Sequence, residues 1–368
     1  MKILVTGSNG FIGKNLMLRL GELGEYEPMG FTRGHSLADL ANFVSQADAV
    51  VHLAGVNRPL DIKDFSEGNV GLTKSLCKLI ADSGRNIPLI VASSIQADLD
   101  NPYGQSKQAA EDAVEGLAKS TDNSVVIYRL PNVFGKWCRP NYNSVVATFC
   151  HNLTHELPIQ INDATVMLKL VYVDDVVSEF ISSIDNHTAG LIRREVSPVY
   201  EVTVGALANQ IKAFQNSRES LVSEAVGTGF VRALYSTYLS YLPPTKFTYE
   251  IPKYGDERGA FVEMLKTKES GQFSFFTAHP GVTRGGHYHH TKTEKFLVIQ
   301  GRARFGFRQI LSNEYYEVVT SGDHPKIVET VPGWTHDITN IGSDEMIVML
   351  WANEIFDRAH PDTVAAKV

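Results

Sequence analysis

Two sets of motif residues lie near opposite ends of this chain, and each set requires a different backbone around it. Near the start, Gly7, Gly10 and Gly13 lie at the junction between a short apolar run and an amphipathic stretch over residues 11–23. Glycines at such a junction allow a tight turn between a strand and a helix. Near the end lie four side chains suited to metal binding: His287, His289, Glu294 and His336. Residues two apart face the same side on a strand, so the second set requires β-structure.

At 368 residues the chain exceeds one typical domain, and with 43% hydrophobic and 20% charged residues each domain can bury a core. The formal net charge of −7 argues against a general nucleic-acid or membrane-surface role. The sequence contains neither a membrane-spanning apolar run nor a signal peptide. Cys77, Cys138 and Cys150 have no paired spacing, which indicates free thiols in a reducing compartment. We therefore expect a cytoplasmic protein without nucleic-acid or membrane partners.

The first 135 residues alternate between strand and helix patterns. The predicted strands are Lys2–Thr6, Ala49–Ala54, Pro88–Ser93 and Val125–Leu130, and the predicted helices are Phe11–Leu23, Leu72–Asp82 and Lys107–Lys119. Uninterrupted apolar strands are typical of a parallel sheet that is covered on both faces. The pattern predicts an α/β domain with a doubly wound, Rossmann-like parallel sheet.

The pattern changes at Leu242-Pro243-Pro244-Thr245. Before it, residues 136–240 are less regular, as expected for a region that caps a substrate. After it come short, evenly spaced strands, predicted at Ala260–Lys266, Gln272–Ala278, Glu294–Gln300, Arg302–Gln309, Tyr315–Val319, Lys326–Val331, Ile338–Asn340 and Met346–Ala352. Such strands predict an all-β sandwich or barrel. We divide the chain into a first domain, residues 1–243, and a second domain, residues 244–368.

The glycine loop predicts a dinucleotide site, because backbone without Cβ atoms can approach a pyrophosphate at the positive end of a helix. The expected cofactor contacts are Gly7, Asn9, Gly10, Phe11, Ile12, Gly13, Leu53, Ala54, Tyr103 and Lys107. Arg33 stands where NAD-binding folds place an acid for the ribose 2′-hydroxyl. An arginine there favours a 2′-phosphate and hence NADPH; the alternative is a solvated arginine in a loop.

Ser94, Tyr103 and Lys107 form a candidate catalytic set. Tyr103 and Lys107 are four residues apart at the start of a predicted helix, so both lie on one face. We expect the Lys107 cation to lower the pKa of Tyr103 by favouring the phenolate. Tyr103 would then exchange a proton with a carbonyl oxygen that Ser94 polarises, while Lys107 would hold the ribose.

These residues resemble the extended short-chain dehydrogenase/reductase family over about residues 1–240. The further matching motifs are His52-Leu53-Ala54-Gly55, Asn69, Arg129-Leu130-Pro131-Asn132-Val133-Phe134-Gly135 and Tyr172-Val173-Asp174-Asp175. Members of that family mostly act on nucleotide sugars. The resemblance implies that Asn132, Lys136, Arg139 and Asn143 lie by the substrate; the alternative for Lys136 and Arg139 is an exposed basic loop.

Three imidazoles and a carboxylate suit a divalent transition metal such as zinc, manganese, nickel or iron. The spacing of Gly281, the four metal-site residues and Gly301 resembles the two motifs of the cupin family, although Pro332 and Gly333 are adjacent where a residue usually separates them. The segments 255–261 and 281–288 also resemble the nucleotide-sugar 3,5-epimerases. Those cupins work without a metal, and the histidine that matches His287 is their base.

His287 is therefore either a metal ligand or a base. The presence of His289, Glu294 and His336 favours a ligand. If His287 is a ligand, the remaining candidates for the base are Tyr288, His290, Lys295 and His360.

The whole chain resembles one bifunctional family, the capsular polysaccharide synthesis enzyme CapF and its O-antigen relatives. The segments that carry this resemblance are residues 52–59, 135–144 and 234–243. The resemblance implies C3 epimerisation of UDP-2-acetamido-2,6-dideoxy-β-L-arabino-hexos-4-ulose and then NADPH-dependent C4 reduction. The product would be UDP-2-acetamido-2,6-dideoxy-β-L-talose, a precursor of UDP-N-acetyl-L-fucosamine. The family also implies zinc in the cupin domain and a homodimer.

One ketone can serve both reactions. A C4 ketone acidifies the C3–H, so epimerisation must precede the reduction that removes this ketone. Two alternatives remain: a 4-ketoreductase whose cupin is only structural or dimerising, and a non-enzymatic nucleotide-sugar sensor with an inactive reductase site.

Overall fold

The structure, a computed structural model, describes residues 1–57, 61, 65–256, 259–262, 264–267, 271–354 and 359–368. The motif residues 58–59 and 257–258 lie outside the described residues. The chain forms two compact units, one made of Met1–Trp137 with Leu168–Glu201 and the other of Cys138–Met167 with Val202–Val368. Residues 138–167 and 202–243, which the sequence places in the first domain, lie in the second unit. The division of function at residue 243 stays a prediction.

The first unit is built on a parallel sheet of six strands. Its strands and those of a smaller neighbouring sheet are β1 Lys2–Thr6, β2 Glu27–Phe31, β3 Ala49–His52, β4 Leu89–Ser94, β5 Ser124–Leu130, β6 Asn132–Phe134, β7 Met167–Tyr172, β8 Gly190–Arg194 and β9 Tyr200–Thr203. The large sheet has the order β2-β1-β3-β4-β5-β8 and the small one β6-β7-β9. The strand order changes direction between β1 and β3, and folds of this type bind ligands at the carboxyl ends of the two strands at that point.

Helices cover both faces of the large sheet. The helices of the described chain are α1 Phe11–Leu23, α2 Leu37–Gln46, α3 Leu72–Asp82, α4 Pro102–Ser120, α5 Val145–Thr154, α6 Val173–Asp185, α7 Val204–Ser220 and α8 Gly229–Leu239, with short helical turns at Ser66–Gly71, Ile95–Asp98 and Pro244–Lys246. In β1, Ile3 and Val5 pack with α1 and α6, whereas Leu4 packs with α2, α3 and α4. This alternation confirms the predicted doubly wound α/β class.

The second unit contains antiparallel sheets and the helices α5, α7 and α8. Its strands are β10 Val222–Ser223, β11 Thr248–Glu250, β12 Lys253–Asp256, β13 Gly259–Val262, β14 Lys266–Thr267, β15 Gln272–Ala278, β16 Thr283–Tyr288, β17 Glu294–Gln300, β18 Arg302–Gln309, β19 Tyr315–Ser321, β20 Lys326–Glu329, β21 Trp334–Asn340, β22 Met346–Ala352 and β23 Val364–Ala365. Two five-stranded sheets dominate, with the orders β11-β20-β17-β22-β15 and β19-β18-β21-β16-β23. The prediction of an all-β C-terminal part is confirmed.

The region 136–240 is more regular than predicted, because it contains the four helices α5 to α8. The buried residues of α7 include Leu207, Ile211 and Phe214, which form a narrow apolar stripe among small and polar residues. Such a stripe gives a weak helical pattern in the sequence. None of the helices in the described part of the chain has the length and apolar character needed to cross a membrane.

Candidate functional site

The glycine loop joins β1 to α1 at the carboxyl edge of the parallel sheet. Gly7 has a φ of +69°, and a Cβ there would lie 2.8 Å from the backbone nitrogen of Ala54. A Cβ on Gly13 would lie 2.3 Å from the carbonyl oxygen of Gly7. The loop can therefore close against the neighbouring strand only with glycine at these positions. No side chain caps the N-terminus of α1, so its first N–H groups can bind an anion such as a pyrophosphate.

The other predicted cofactor residues surround this loop. Asn9 and Gly10 are exposed, and Phe11 and Ile12 are half-buried in the first turn of α1. Leu53 and Ala54 follow β3, and both backbone N–H groups donate to Thr6 Oγ1 at 3.2 Å.

Arg33 is exposed and lies two residues after the end of β2, which pairs with β1. Its place matches that of the ribose-binding acid in NAD-binding folds. Contact with a 2′-phosphate stays a prediction.

The structure brings Ser94, Tyr103 and Lys107 to the end of β4 and the start of α4. The Lys107 ammonium lies 6.0 Å from the centroid of the Tyr103 ring and donates to the carbonyl oxygen of Ala92 at 3.2 Å. Burial raises the pKa of Tyr103, and the Ser94 hydroxyl offsets this only in part. The predicted lowering of the Tyr103 pKa by Lys107 is therefore wrong for this structure, because desolvation dominates.

A buried carboxylate supports Lys107 one turn further along α4. Burial lowers the pKa of Lys107 to about 8, and the negative charge of Glu111 opposes this effect. Glu111, 1% exposed, receives two hydrogen bonds from Arg129, Nε to Oε1 at 3.0 Å and Nη2 to Oε2 at 2.8 Å. Ser93 also donates to Glu111. Glu111 was not predicted from the sequence, although its i+4 spacing from Lys107 was a usable signal.

His52 connects β1 to α3 through a chain of hydrogen bonds. Thr6 Oγ1 accepts the two N–H groups after β3, so its proton points to His52 Nδ1 at 2.7 Å. Thr73 Oγ1 donates to the carbonyl oxygen of Asn69 at 2.6 Å and so accepts from His52 Nε2 at 2.8 Å. Burial, with a smaller effect of Lys107, lowers the pKa of His52 to about 3. His52 is therefore neutral, with its proton on Nε2.

The same series of hydrogen bonds continues from Asn69 to α4. The Asn69 amide donates to Ser106 Oγ at 2.9 Å, and Ser106 donates to the carbonyl oxygen of Tyr103 at 2.7 Å. Side chains thus link the strand before the glycine loop to the helix that carries Tyr103.

The second candidate site lies in the second unit, where the ligand atoms of His287, His289, Glu294 and His336 all fall within 4.8 Å of one another. Glu294 Oε2 is 3.1 Å from His289 Nε2 and 3.5 Å from His336 Nε2. Its other oxygen, Oε1, is 2.8 Å from the ammonium of Lys292. Burial raises the pKa of Glu294, but the two imidazoles outweigh it and hold this pKa well below its usual range.

The donor set fits a metal cation. His289 Nδ1 donates to the backbone oxygen of Asp362, so the Nε2 lone pair of a neutral His289 faces the Glu294 carboxylate. Two lone pairs 3.1 Å apart repel unless a proton or a metal ion lies between them. Both ring nitrogens of His336, 4% exposed, have no hydrogen-bond partner within the described chain. Buried imidazoles without partners suit a metal such as zinc.

A bulge in β16 aims His287 at this cluster. The pairing of β16 with β21 shifts register between Gly285 and His287, and Gly285 and Gly286 have φ values of +97° and +79°. Bulges commonly redirect side chains next to active sites. Burial, then His336 and His289, lowers the pKa of His287 to about 3, so this imidazole is neutral at neutral pH.

Three of the four cluster residues, His287, Glu294 and His336, line a cavity between the two five-stranded sheets. The cavity has a volume of about 210 Å³. Its lining residues are Phe276, Arg284, Gly285, His287, Glu294, Phe296, Phe305, His336, Asp337, Ile338 and Leu350. Aromatic walls with a few converging polar groups are typical of small-molecule sites.

Residues 3–197 match the model of the NAD dependent epimerase/dehydratase family, and residues 254–364 match the polysaccharide biosynthesis C-terminal domain. The chain is 57% identical over 368 residues to a UDP-2-acetamido-2,6-beta-L-arabino-hexul-4-ose reductase of Pseudomonas aeruginosa, covering 100% of this chain and 99% of that protein. The capsular polysaccharide assembling protein CapF from Staphylococcus aureus aligns over 100% of both chains, with 40% identity and a TM-score of 0.68. This chain belongs to the CapF family.

The nucleotide-binding fold of this CapF-family chain also occurs in more distant proteins. A UDP-glucuronic acid 4-epimerase from Bacillus cereus is 18% identical with a TM-score of 0.52, covering 60% of this chain and 83% of that one. At this identity the likeness concerns the fold alone. Membership of the NAD dependent family implies a nicotinamide cofactor at the glycine loop.

Two of the predicted base candidates in this CapF-family chain face away from the cavity, and these predictions are wrong. Lys295 alternates with Glu294 on β17, and its ammonium pairs with Glu329 and donates to Tyr249 Oη at 2.9 Å. The alternation along β16 likewise turns Tyr288 away from His287.

The two remaining alternatives to His287 do not line the cavity either. The His290 ring packs 5.5 Å from that of Tyr288, and His360 is exposed. Of the five candidates only His287 lines the cavity.

The predicted substrate residues occupy different environments. Asn132 is exposed on β6, and Arg139 and Asn143 are exposed in the second unit, where Arg139 packs over the Tyr142 ring at 5.3 Å. Lys136 is 1% exposed and lies 2.8 Å from an Asp174 oxygen, so it is not the exposed residue of the alternative interpretation. The substrate contacts of all four stay predictions.

Proposed function

We propose that this chain carries out two successive reactions at one UDP-sugar ketone, C3 epimerisation in the second unit and NADPH-dependent C4 reduction in the first. At a coarser level, the chain is a nucleotide-sugar oxidoreductase of the CapF type. The proposed substrate is UDP-2-acetamido-2,6-dideoxy-β-L-arabino-hexos-4-ulose, which the name of the Pseudomonas relative supports. The proposed product is UDP-2-acetamido-2,6-dideoxy-β-L-talose, for capsule or O-antigen precursor synthesis.

Ser94, Tyr103 and Lys107 support the reductive step. Bound NADPH would supply the hydride at C4. Tyr103, whose pKa is raised by burial, holds its proton at neutral pH and would deliver it to the C4 oxygen. Ser94 would polarise that oxygen, and Lys107 would hold the ribose. A sensor without activity would not need this intact set.

The cluster of three imidazoles and one carboxylate, three of whose members line the cavity, carries the epimerase proposal. We propose that His287, His289, Glu294 and His336 hold a divalent metal, zinc. A base would take the C3 proton and a proton would return to the opposite face, while a bound metal would polarise the ketone oxygen and stabilise the enolate. A second unit with only a structural role would not need a carboxylate and a buried imidazole without hydrogen-bond partners, that of His336, beside a cavity.

Deuterium exchange at C3 tests the epimerase step. Purified protein is incubated with the 4-keto UDP-sugar in D2O with NADP⁺, which occupies the cofactor site without reducing the ketone. We expect deuterium at C3 in the wild type, and no exchange and no bound zinc in His287→Asn. The matched control His324→Asn changes an exposed histidine outside the cluster and should behave as wild type. Addition of NADPH should then yield the C3-inverted alcohol, identified by NMR.

Each other result has a defined meaning. Reduction without any C3 exchange would support the alternative that the protein is a 4-ketoreductase whose second domain is only structural. Retained zinc with lost exchange in His287→Asn would make His287 the base instead of a ligand. No NADPH consumption by the wild type would support the sensor alternative.

We also propose a cytoplasmic homodimer. Its support in the structure is the edge strand β15, where Phe273 and Phe275 are 47% and 70% exposed. Exposed aromatic residues on an edge strand commonly mark an interface. A monomer mass in sedimentation equilibrium at micromolar concentration would contradict the dimer, and recovery of the protein outside the cytoplasmic fraction would contradict the location.

A further inference from the structure

Asp362 holds the loop that connects two of the four cluster residues. Its Oδ1 accepts the backbone N–H of His290 at 2.9 Å, and its Oδ2 accepts those of Thr291 and Lys292 at 2.6 Å and 2.7 Å. The Thr291 hydroxyl also donates to Oδ2, at 2.9 Å. One carboxylate thus gathers the main chain directly after His289 into a tight turn.

The same residue contacts the cluster through its backbone. The Asp362 carbonyl oxygen accepts from His289 Nδ1, which directs Nε2 towards Glu294. Metal-binding histidines typically donate their second ring N–H in this way, which sets both the tautomer and the ring orientation.

The segment that follows Asp362 is attached beside two further cluster residues. Strand β23 pairs with β16 at His287, and the Ala366 N–H donates to the Gly286 carbonyl oxygen at 2.9 Å. Thr335, the neighbour of His336, donates its hydroxyl to the Ala366 carbonyl oxygen at 2.7 Å. Residues 362–366 therefore contact the backbone or side chains next to three of the four cluster positions.

Other groups of the second unit hold the opposite side of this loop. Arg232 Nη2 donates to Thr291 Oγ1 and lies 2.7 Å from Glu354 Oε2 and 3.9 Å from Asp362 Oδ2. Asn353 Oδ1 accepts the Thr293 N–H at 3.0 Å. The loop cannot move away from His289 without losing several of these hydrogen bonds, so Asp362 closes a turn that is already braced.

We propose that Asp362 is a positioning residue of the metal site, which orients His289 through its carbonyl oxygen and holds the 290–292 turn through its carboxylate. This inference rests on the metal-binding role given to the cluster above. Partners that orient metal ligands typically contribute about 10- to 100-fold to metal affinity. Loss of the Asp362 carboxylate should therefore weaken metal binding without removing any ligand.

Cobalt binding to the full-length, metal-free protein tests this role. Co²⁺ affinity is measured by competition with a chromophoric chelator, and the visible absorption of bound Co²⁺ reports the ligand geometry. In Asp362→Asn the new amide N–H group opposes the backbone donors, so we expect about 10- to 100-fold weaker Co²⁺ binding and an altered absorption spectrum. Asp344→Asn, which changes an exposed carboxylate after β21, should keep the wild-type affinity and spectrum.

A second variant covers the case in which Asp362→Asn does not fold. Thr291→Val removes one hydroxyl donor to Asp362, and we expect a loss of affinity below about 10-fold, the scale of one hydrogen bond. Folding of every variant is checked by circular dichroism without metal.

The outcomes separate this role from the proposed function. Wild-type affinity and spectrum in a folded Asp362→Asn, or wild-type affinity in Thr291→Val where Asp362→Asn is unfolded, would overturn the positioning role and leave the metal site standing. A wild-type protein that binds no Co²⁺ would overturn both the positioning role of Asp362 and the metal site.

Discussion

The glycine-loop site and the histidine site of this chain are assembled in opposite ways. The first is built mainly from backbone within one strand-turn-helix segment, where Gly7 and Gly13 shape a loop only a few residues long. The second gathers side chains from β16, β17, β21 and the loop after β16, which meet only when two sheets have formed. A local motif determines most of its own geometry, whereas a dispersed site depends on distant residues such as Asp362.

The two sites also differ in how they handle charge. In the first unit, Arg129 forms ion pairs with both Glu111 and Asp98 near Lys107. The carboxylates there are thus paired with cations of the chain itself. In the second, imidazole and carboxylate lone pairs converge on one point. The charges of the first site are paired within the chain, whereas the proposed metal would supply the positive charge at the centre of the second. A substitution that abolishes activity at one site should therefore leave the activity of the other site unchanged.

The strongest test of this independence is Tyr103→Phe. Removal of the phenol should lower the rate of NADPH oxidation with the 4-keto substrate by about 10²- to 10⁴-fold, the usual contribution of a positioned proton donor. Deuterium exchange at C3 and zinc content should stay at wild-type levels. The control Tyr315→Phe removes a half-exposed phenol on β19 of the second unit. Wild-type NADPH oxidation by Tyr103→Phe would remove the assignment of the proton donor, and lost C3 exchange would show that the sites depend on each other.

Arg33→Ala should have the next largest effect, confined to cofactor choice. Loss of a charge-assisted contact to the 2′-phosphate should raise the KM for NADPH about 10- to 100-fold and leave the KM for NADH unchanged. The control is Arg85→Ala. This exposed arginine precedes β4 and so lies at the amino ends of the parallel strands, whereas Arg33 follows the carboxyl end of β2. Equal changes for both cofactors would show that Arg33 does not select NADPH.

The smallest expected effect is a pH dependence of kcat/KM for reduction, which takes place at the first site. Since burial lowers the Lys107 pKa to about 8, the ammonium is charged below that pH and loses its charge above it. The kcat/KM for reduction should therefore fall about tenfold between pH 8 and pH 9 to 9.5. C3 exchange should show no such decline, because Lys107 belongs to the first site and is not part of the histidine cluster. A decline that begins only above pH 10 would point to Tyr103 instead, because burial raises the pKa of its phenol.

The sequence predicted the parts of the fold whose patterns are local. The helices Phe11–Leu23 and Leu72–Asp82 were predicted with their bounds, because each has a continuous apolar face. Strand β2 was missed, since Pro28 and Gly30 interrupt its pattern. The single strand predicted at Ala260–Lys266 is wrong, because β13 ends at Val262 and β14 begins at Lys266.

For the sites, ligand types and spacing were sufficient to find the residues but not their surroundings. His287 and His336 were found by spacing, yet Asp362 lies 26 residues beyond His336 and has no spacing relation to the cluster that would reveal it. Lys295 was misjudged as a base because β17 turns it towards Glu329, and its partner is known only after strand pairing. The pKa of Tyr103 was misjudged because burial cannot be read from a four-residue spacing.

The interleaving of the two units has a consequence for the order in which the protein is made. Helix α5, with buried Val146, Phe149 and Cys150, belongs to the second unit but precedes the last segment of the first. Its packing partners α7 and α8 end at residues 220 and 239. At typical elongation rates, a ribosome needs roughly 4–17 s to reach residue 239 after leaving α5. During that interval the nascent chain carries an uncovered apolar helix, while the residues that complete the first unit are still being added.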